Sequence, residues 1–177
     1  RENAAIISNS RRWPLLIDPQ MYGLRWLKRY EDERSKLISR SVLSLHIGNP
    51  GWFRDMISAI QVGNTIILEN VPETLGLTMD SILRRSLARR GKGFILEVGD
   101  QTIDYDDNFR LYLHTPNMNP HFGLEVYAQC CVVNFTITEE AMSDQLLAKL
   151  LVEEEPELEK TRITLTHTLH DSSMQLK

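Results

Sequence analysis

The chain has 177 residues, of which 42% are hydrophobic and 25% are charged, which is enough for one globular core of ordinary size. Its formal net charge of −4 argues against nucleic acid or an anionic membrane as the main partner, because such partners attract clustered Lys and Arg. No apolar run reaches the roughly 18 residues of a membrane-spanning helix. The two cysteines, Cys130 and Cys131, are adjacent, which suits a reducing compartment. The chain begins at Arg1 without a methionine, so we interpret it as part of a longer protein.

A strand, a loop and a helix are predicted near the amino terminus. The lead-in contains Ala4 to Ile7, a candidate edge strand, and the apolar residues from Trp13 to Ile17 predict a buried strand. The loop Asp18-Pro19-Gln20 follows, and a helix is expected to begin near Leu24. This is the place where a nucleotide-binding α/β domain carries its phosphate loop.

The composition of this loop does not suit phosphate binding. A phosphate loop is rich in glycine and ends in Gly-Lys-Ser/Thr, because bare backbone N–H groups and a helix N-terminus attract anions. Here Gly23 is the one glycine and Pro19 lacks an N–H group. The sequence therefore predicts the architecture of a nucleotide site without its phosphate-binding residues.

Two more strands and a helix follow along the chain. Residues from Tyr30 to Arg40 are highly charged and predict a solvated helix end or loop. Val42 to Ile47 predict the second strand, and the apolar spacing from Trp52 to Ile60 predicts a helix. Thr65 to Leu68 form an unbroken aliphatic run typical of a strand buried on both faces of a parallel sheet.

The third strand ends in Glu69 and Asn70. Domains that hydrolyse phosphate end the equivalent strand in an acidic pair, which holds Mg²⁺ and orients the attacking water. Asn70 cannot accept a proton as a carboxylate does, and a lone carboxylate at a strand end is also common in proteins without a metal. Glu69 is therefore a candidate metal ligand or an ordinary surface acid.

The middle of the chain predicts a helix and a β-hairpin. Residues from Thr78 to Arg90 predict one helix with an outer face of four arginines, either a subunit-facing patch or a solvated surface. Gly93 to Val98 and Gln101 to Tyr105 flank Gly99-Asp100 and predict an inserted hairpin.

Two further core strands complete the sheet. Arg110 to Thr115 predict the fourth strand, after which Thr115 and Asn117 are either contacts to a γ-phosphate or ordinary turn residues. Pro120 to Ala128 predict a short helix or turn, and Cys131 to Thr136 the fifth strand.

The carboxyl-terminal part predicts helices. Thr138 caps a helix that runs to about Val152, and Pro156 restarts the chain as a second helix. Leu158, Leu165, Leu169 and Leu176 form a heptad-like seam on it. His167 and His170 share a helix face there, but two ligands without a third make a poor metal site, and solvated histidines are the alternative.

The predicted fold class is α/β, a doubly wound, five-stranded and mainly parallel sheet with an inserted β-hairpin and C-terminal helices. Residues 1–137 form the large α/β subdomain, and residues 138–177 begin a C-terminal helical subdomain. We expect the central strands to place five side chains in one core: Trp13, Leu16, Ile67, Leu113 and Val133.

The sequence resembles the fifth AAA+ module of dynein heavy chains, which has a P-loop-NTPase-like large subdomain. The resemblance rests on motifs in the same order over nearly the whole chain: Arg12-Trp13-Pro14-Leu15-Leu16-Ile17-Asp18-Pro19-Gln20, Leu68-Glu69-Asn70, Phe109-Arg110-Leu111-Tyr112, Asn119-Pro120-His121-Phe122 and Glu155-Pro156-Glu157-Leu158-Glu159. The Trp-Pro-Leu and Asn-Pro-His forms are closer to axonemal than to cytoplasmic dyneins. Gly76-Leu77, Gly123-Leu124 and Gln129 depart from the family pattern.

The resemblance implies that the chain is one segment of a six-module motor ring that walks on microtubules. The implied location is cytoplasmic, in the axoneme of a cilium or flagellum. In this module the family has lost its nucleotide-binding residues, so no catalytic residue, metal or cofactor is expected, whereas other modules of the motor use ATP and Mg²⁺. The expected partners are neighbouring AAA+ modules of the same heavy chain, the stalk through the buttress that follows the last helix, and microtubules indirectly. The degenerate site would comprise Asp18, Pro19, Gln20, Gly23, Glu69, Asn70, Thr115 and Asn117.

Two functions remain open from the sequence. One is a non-catalytic structural module that transmits conformational change around the ring. The alternative is a weakly nucleotide-binding ATPase module.

Overall fold

The computed structural model describes residues 2–91, 93–99 and 101–139, together with residues 142, 143, 146, 147, 150 and 165. The chain divides into two compact units, Arg1–Thr136 and Ile137–Lys177. The domain boundary expected after residue 137 stays a prediction. His167, His170 and the leucines of the seam other than Leu165 lie outside the described residues.

The first unit contains five helices and eight strands within its described residues. The helices are α1 (Glu2–Asn9), α2 (Tyr22–Ile38), α3 (Trp52–Val62), α4 (Leu77–Arg84) and α5 (Leu124–Gln129). The strands are β1 (Trp13–Ile17), β2 (Val42–His46), β3 (Thr65–Glu69), β4 (Leu87–Arg90), β5 (Gly93–Val98), β6 (Gln101–Tyr105), β7 (Arg110–Thr115) and β8 (Cys130–Asn134).

The main sheet has the strand order β2-β3-β7-β1-β8, and every neighbouring pair is parallel. This confirms the predicted doubly wound α/β class. The hairpin β5–β6 is also present, but β4 joins it in a separate three-stranded antiparallel sheet. The β5–β6 turn contains Asp100, which lies outside the described residues.

The core lies on both faces of the main sheet. Successive side chains of a strand point to opposite faces, so Leu15 and Ile66 belong to one buried cluster, whereas Leu16 and Ile67 belong to another. The five side chains expected in one core are all buried, but they are divided between these clusters. The expectation of a single core was wrong because the sheet separates its two packed faces.

The predicted amino-terminal edge strand is wrong, because Ala4 to Ile7 lie within helix α1. Ile7 is buried and joins the cluster around Leu16, whereas Ile6 is 46% exposed. Ala4, three residues before Ile7, is also partly buried. Inward residues three apart with an outward residue between them are typical of a short amphipathic helix.

The predicted helix from Thr78 to Arg90 divides into two elements. Helix α4 ends where Arg85 adopts a left-handed conformation, with φ of 50°, and the chain then forms strand β4 against β5. Arg89 and Arg90 therefore lie on a strand, so the predicted four-arginine helix face was wrong. A left-handed residue ends a helix because its N–H turns back to the preceding carbonyls, here that of Ile82.

Candidate functional site

The site expected from the sequence lies at the carboxyl ends of β1, β7 and β3, which are neighbours in that order. Ligands of open α/β sheets bind in the crevice outside these strand ends. Asp18 follows β1, Thr115 ends β7 and Glu69 ends β3, and all three residues are buried. The structure therefore places the three predicted strand-end residues at one edge of the sheet.

Asp18 is fully buried and caps helix α2. Its Oδ1 accepts the backbone N–H of Tyr22 at 3.1 Å, and its Oδ2 accepts that of Leu24 at 2.8 Å. A helix N-terminus favours an anion because its first N–H groups lack partners within the helix. Here the chain supplies that anion itself, from the residue that directly follows the first strand.

The other loop residues have structural contacts. Gly23 lies against Phe135, and a Cβ atom at this glycine would meet the ring at 2.7 Å, so close packing requires the glycine. Pro19 is half-buried, Gln20 is exposed, and Met21 turns the chain into α2 with φ of 59°. The loop is thus shaped by packing and capping.

Glu69 is held by residues from α2 and β2. Its Oε1 lies 2.5 Å from Nζ of Lys28 and accepts a hydrogen bond from the Ser44 hydroxyl, and its Oε2 lies 3.7 Å from Nε2 of His46. Burial by itself would raise the pKa of the Glu69 carboxyl, but the hydrogen bonds from Lys28 and Ser44 outweigh it and lower that pKa below its ordinary value. The carboxylate is therefore ionised at neutral pH and already paired with a cation.

Sequence reasoning missed Lys28, although a signal for it exists. Lys28 follows the buried residues Leu24 and Leu27 at spacings of four and one, which places it beside the buried face of α2. A basic side chain at that position points along the sheet towards the strand ends. The helical phase of α2 could have placed Lys28 beside the buried face of the helix, but it could not have named Glu69 as its partner.

Asn70, the second residue of the predicted acidic pair, is exposed and adopts a left-handed conformation with φ of 52°. Asn tolerates this conformation better than most residues. The next residue, Val71, donates its N–H to the carbonyl of His114 at 2.9 Å. The asparagine thus suits the turn that leaves β3.

His114 is a second residue that the sequence did not single out. It is fully buried in β7, and neither ring nitrogen has a hydrogen-bond partner among the described residues. Burial lowers the pKa of His114, although the Asp18 carboxylate, with Oδ2 4.0 Å from Nε2, opposes this. The imidazole is therefore neutral at neutral pH. A lone histidine within an apolar strand was the available signal.

Thr115 and Asn117 make the contacts of a turn. The Thr115 hydroxyl accepts the N–H of Asn117 at 3.3 Å, and the Asn117 amide donates to Glu73 at 2.9 Å. Asn117 Oδ1 also accepts the N–H of Asn119 at 3.1 Å. These contacts favour the turn interpretation over the phosphate contact.

Within the part of the chain that the structure describes, no group of three or more His, Cys, Asp or Glu side chains could hold a metal ion. The same residues include no helix that is both long and apolar enough to cross a membrane.

A family model described as "ATP-binding dynein motor region" matches residues 1–177. The chain belongs to this dynein family. Similar curated proteins include dynein axonemal heavy chain 11 of Sus scrofa and the ciliary dynein beta chain of Heliocidaris crassispina, each 38% identical over 99% of this chain. The flagellar outer-arm dynein alpha chain of Chlamydomonas reinhardtii is 35% identical over 99% of this chain. The chain spans about 4% of the length of each of these relatives.

The expected resemblance to axonemal dynein heavy chains is confirmed, and the relatives are named as axonemal, ciliary and flagellar proteins. The five-stranded parallel sheet with flanking helices agrees with the large subdomain of an AAA+ module. The loss of nucleotide binding remains a prediction.

Proposed function

We propose that this chain is a non-catalytic structural and force-transmitting AAA+ module, the fifth of a dynein motor ring. The observation that carries the proposal is that the chain's own charged groups occupy both halves of the nucleotide position. The Asp18 carboxylate binds the helix N–H groups that a phosphate would need. The Lys28 ammonium binds the Glu69 carboxylate that a Mg²⁺ ion would need.

A Mg²⁺–nucleotide complex would have to displace the Asp18 carboxylate from the helix N–H groups and the Lys28 ammonium from Glu69. Hydrogen bonds to a charged group contribute about 1.5–3 kcal/mol each, and Asp18 accepts two of them while fully buried. A phosphate would also approach this buried carboxylate, whose like charge repels it. The residues present therefore do not fit a Mg²⁺–nucleotide complex.

The proposed role follows from the family and from this internal pairing. A module whose site is closed by its own residues keeps one arrangement during the ATP cycle of its neighbours, so it can pass on a movement as a packed body. Its partners would be neighbouring AAA+ modules of the same heavy chain, and the stalk through the buttress. Microtubules would be reached indirectly, and the motor would act in the axoneme, where the names of its relatives place them.

A weakly nucleotide-binding ATPase module is the alternative, and the family description as an ATP-binding region favours it. The two functions differ in one measurable quantity, the affinity for ATP in the presence of Mg²⁺.

The decisive experiment is a titration of the 177-residue chain with labelled ATP and Mg²⁺. We expect no saturable binding below about 1 mM, the upper end of ordinary KM values. Micromolar affinity that requires Mg²⁺, or turnover that Glu69→Gln abolishes, would show that the ATPase alternative is right. Glu125→Gln is the control, because Glu125 is an exposed carboxylate on α5 and belongs to neither the Asp18 nor the Glu69 contacts.

A further inference from the structure

A second concave region lies at the opposite edge of the sheet, where β1 and β7 begin. Trp13 and Arg110 are the first residues of these strands, and they line a cavity of about 340 Å³. Trp13 is four residues before Ile17, which places the cavity roughly 13 Å from the strand ends described above, at about 3.3 Å per residue. It is therefore distinct from the degenerate nucleotide position.

The charge of this cavity is strongly positive in a chain that is acidic as a whole. Its lining contains four arginines (Arg11, Arg12, Arg85 and Arg110) and one acid, Asp107. Among the described residues, none of these four guanidinium groups forms an ion pair with a carboxylate, whereas Arg34, Arg40 and Arg84 do. The lining of the cavity thus has three more arginines than acids, and it carries excess positive charge.

Stacking on Trp13 holds the guanidinium group of Arg85 at the cavity. Its guanidinium carbon lies 3.6 Å from the centroid of the Trp13 ring, and the indole N–H of Trp13 donates to the carbonyl of Ile82 at 3.2 Å. Stacking on an aromatic face leaves the in-plane N–H donors of an arginine free for an oxyanion. Arg85 reaches this position through a left-handed backbone with φ of 50°, a conformation that is unfavourable for residues other than glycine.

The shape favours an extended ligand over a compact ion. A neighbouring cavity of about 300 Å³ shares Arg11, Arg12, Trp13 and Arg85 with the first, so the two cavities adjoin, and together they are called the basic trough. The arginines come from three separate segments along it, before β1, after α4 and at the start of β7. Tyr105 and Phe109 add an aromatic wall. Separated guanidinium groups suit separate carboxylates, each bound bidentately.

We propose that this basic trough binds an acidic peptide segment that carries carboxylates on both sides of an apolar side chain. The carboxylates pair with Arg12, Arg85 and Arg110, and the apolar side chain packs against the aromatic wall.

The test is fluorescence anisotropy with a labelled Glu-Asp-Leu-Glu-Asp peptide and the 177-residue chain. We expect saturable binding that weakens with added salt and at least tenfold weaker binding of the Gln-Asn-Leu-Gln-Asn peptide. The double substitution Arg12→Gln/Arg85→Gln should weaken binding at least tenfold. Arg89→Gln/Arg90→Gln, which removes two exposed arginines of β4 outside the trough, should change it less than about twofold.

Several outcomes would overturn the proposal. Equal losses in the two double variants would indicate non-specific attraction, and undiminished binding of the amide peptide would exclude carboxylate recognition. Pyrophosphate that binds more tightly than the peptide and displaces it would assign the trough to phosphate. Melting curves establish whether each variant folds. If Arg12→Gln/Arg85→Gln does not fold, Arg110→Gln tests the same pairing, and unchanged affinity in that variant also contradicts the proposal.

Discussion

Glu31 shows how one residue can reverse an expectation drawn from a charged stretch. It lies in the segment from Tyr30 to Arg40, predicted to be solvated, yet it is 2% exposed. Its Oε1 accepts a hydrogen bond from the Tyr112 hydroxyl at 2.7 Å and lies 3.4 Å from Nη1 of Arg34. Glu31 is four residues beyond Leu27, so the phase of α2 turns it towards the sheet. Composition alone does not reveal this phase.

We predict that Tyr112→Phe destabilises the protein by about 1–3 kcal/mol, because it removes a donor from a buried carboxylate. Burial raises the pKa of Tyr112, with the Glu31 charge adding to the effect, so the hydroxyl keeps its proton and can donate. Urea unfolding at pH 7 measures the change. Tyr22→Phe is the control, since Tyr22 is 56% exposed, and it should stay within about 0.5 kcal/mol. Equal effects would show that the Glu31 pairing contributes nothing.

We predict that burial of His114 makes stability depend on pH below neutrality. Its pKa in the folded chain is below the ordinary value of about 6.5, so the unfolded state binds more protons once the pH falls below 6.5. Stability is therefore constant with respect to this group above pH 6.5 and declines as the pH falls towards the folded-state pKa. Asp18, Glu69 and Lys28 are the charged groups that act on it.

The measurement compares melting temperatures at pH 7.0 and 5.0. The lowered pKa of Glu69 makes stability depend on pH only below the ordinary carboxyl pKa of 4.5. The Glu69 carboxyl therefore does not contribute to the difference between pH 7.0 and 5.0. The drop between the two pH values should be smaller in His114→Gln than in the native chain, whatever the variant's absolute stability. His121→Gln, at a side chain that is 78% exposed, should leave the drop unchanged. An identical drop in His114→Gln would rule out this account.

At the scale of elements, strands were predicted well where burial on both faces makes the sequence continuously apolar. β7 was predicted as Arg110 to Thr115, which are its bounds in the structure. β4 was missed because Leu87 continues the helical apolar spacing of Met79 and Leu83. The strand conformation of β4 depends on its pairing with β5, and a local sequence pattern does not reveal this pairing.

We predict that Ile67→Ala destabilises the chain by about 2–5 kcal/mol, because Ile67 is fully buried in β3 and its truncation leaves a cavity. That loss is a large part of the stability of an ordinary domain. Leu37→Ala is the matched control, since Leu37 is 87% exposed on α2. Thermal melting distinguishes them, and similar melting temperatures would contradict the assigned core. Arg34→Ala is unsuitable as a neutral control, because Arg34 pairs with buried Glu31.

At the scale of the whole molecule, the sequence predicted which strand ends meet but not what occupies the space between them. Parallel strand order brings Asp18, Glu69 and Thr115 to one edge, and this follows from the α/β pattern. The pairing of Glu69 with Lys28 depends on how α2 packs over the sheet, which no local motif specifies. Under the proposed function, the site keeps its geometry while its own side chains, Asp18 and Lys28, hold the groups that a nucleotide and its metal would need.

We propose that the helix predicted from Pro156 to Lys177 carries movement of this module towards the stalk. Its leucine seam is two residues wide per heptad, which suits a partner helix rather than a sheet. Leu165 is helical and 59% exposed, and Leu169 lies outside the described residues. A rigid helical pair can transmit a rotation, whereas a helix interrupted by proline cannot do so.

The prediction concerns the full heavy chain with Leu169→Pro. ATP turnover by the other modules should persist in this variant, but microtubules should no longer stimulate it, because the interrupted helix uncouples the ring from the stalk. Leu169→Ala is the matched control: it shortens the same side chain, retains the backbone N–H and has a high helix propensity, so most of the stimulation should remain. Steady-state ATPase rates with and without microtubules, together with gliding velocity, measure both variants. Normal stimulation and gliding in Leu169→Pro would show that the signal passes through another part of the motor.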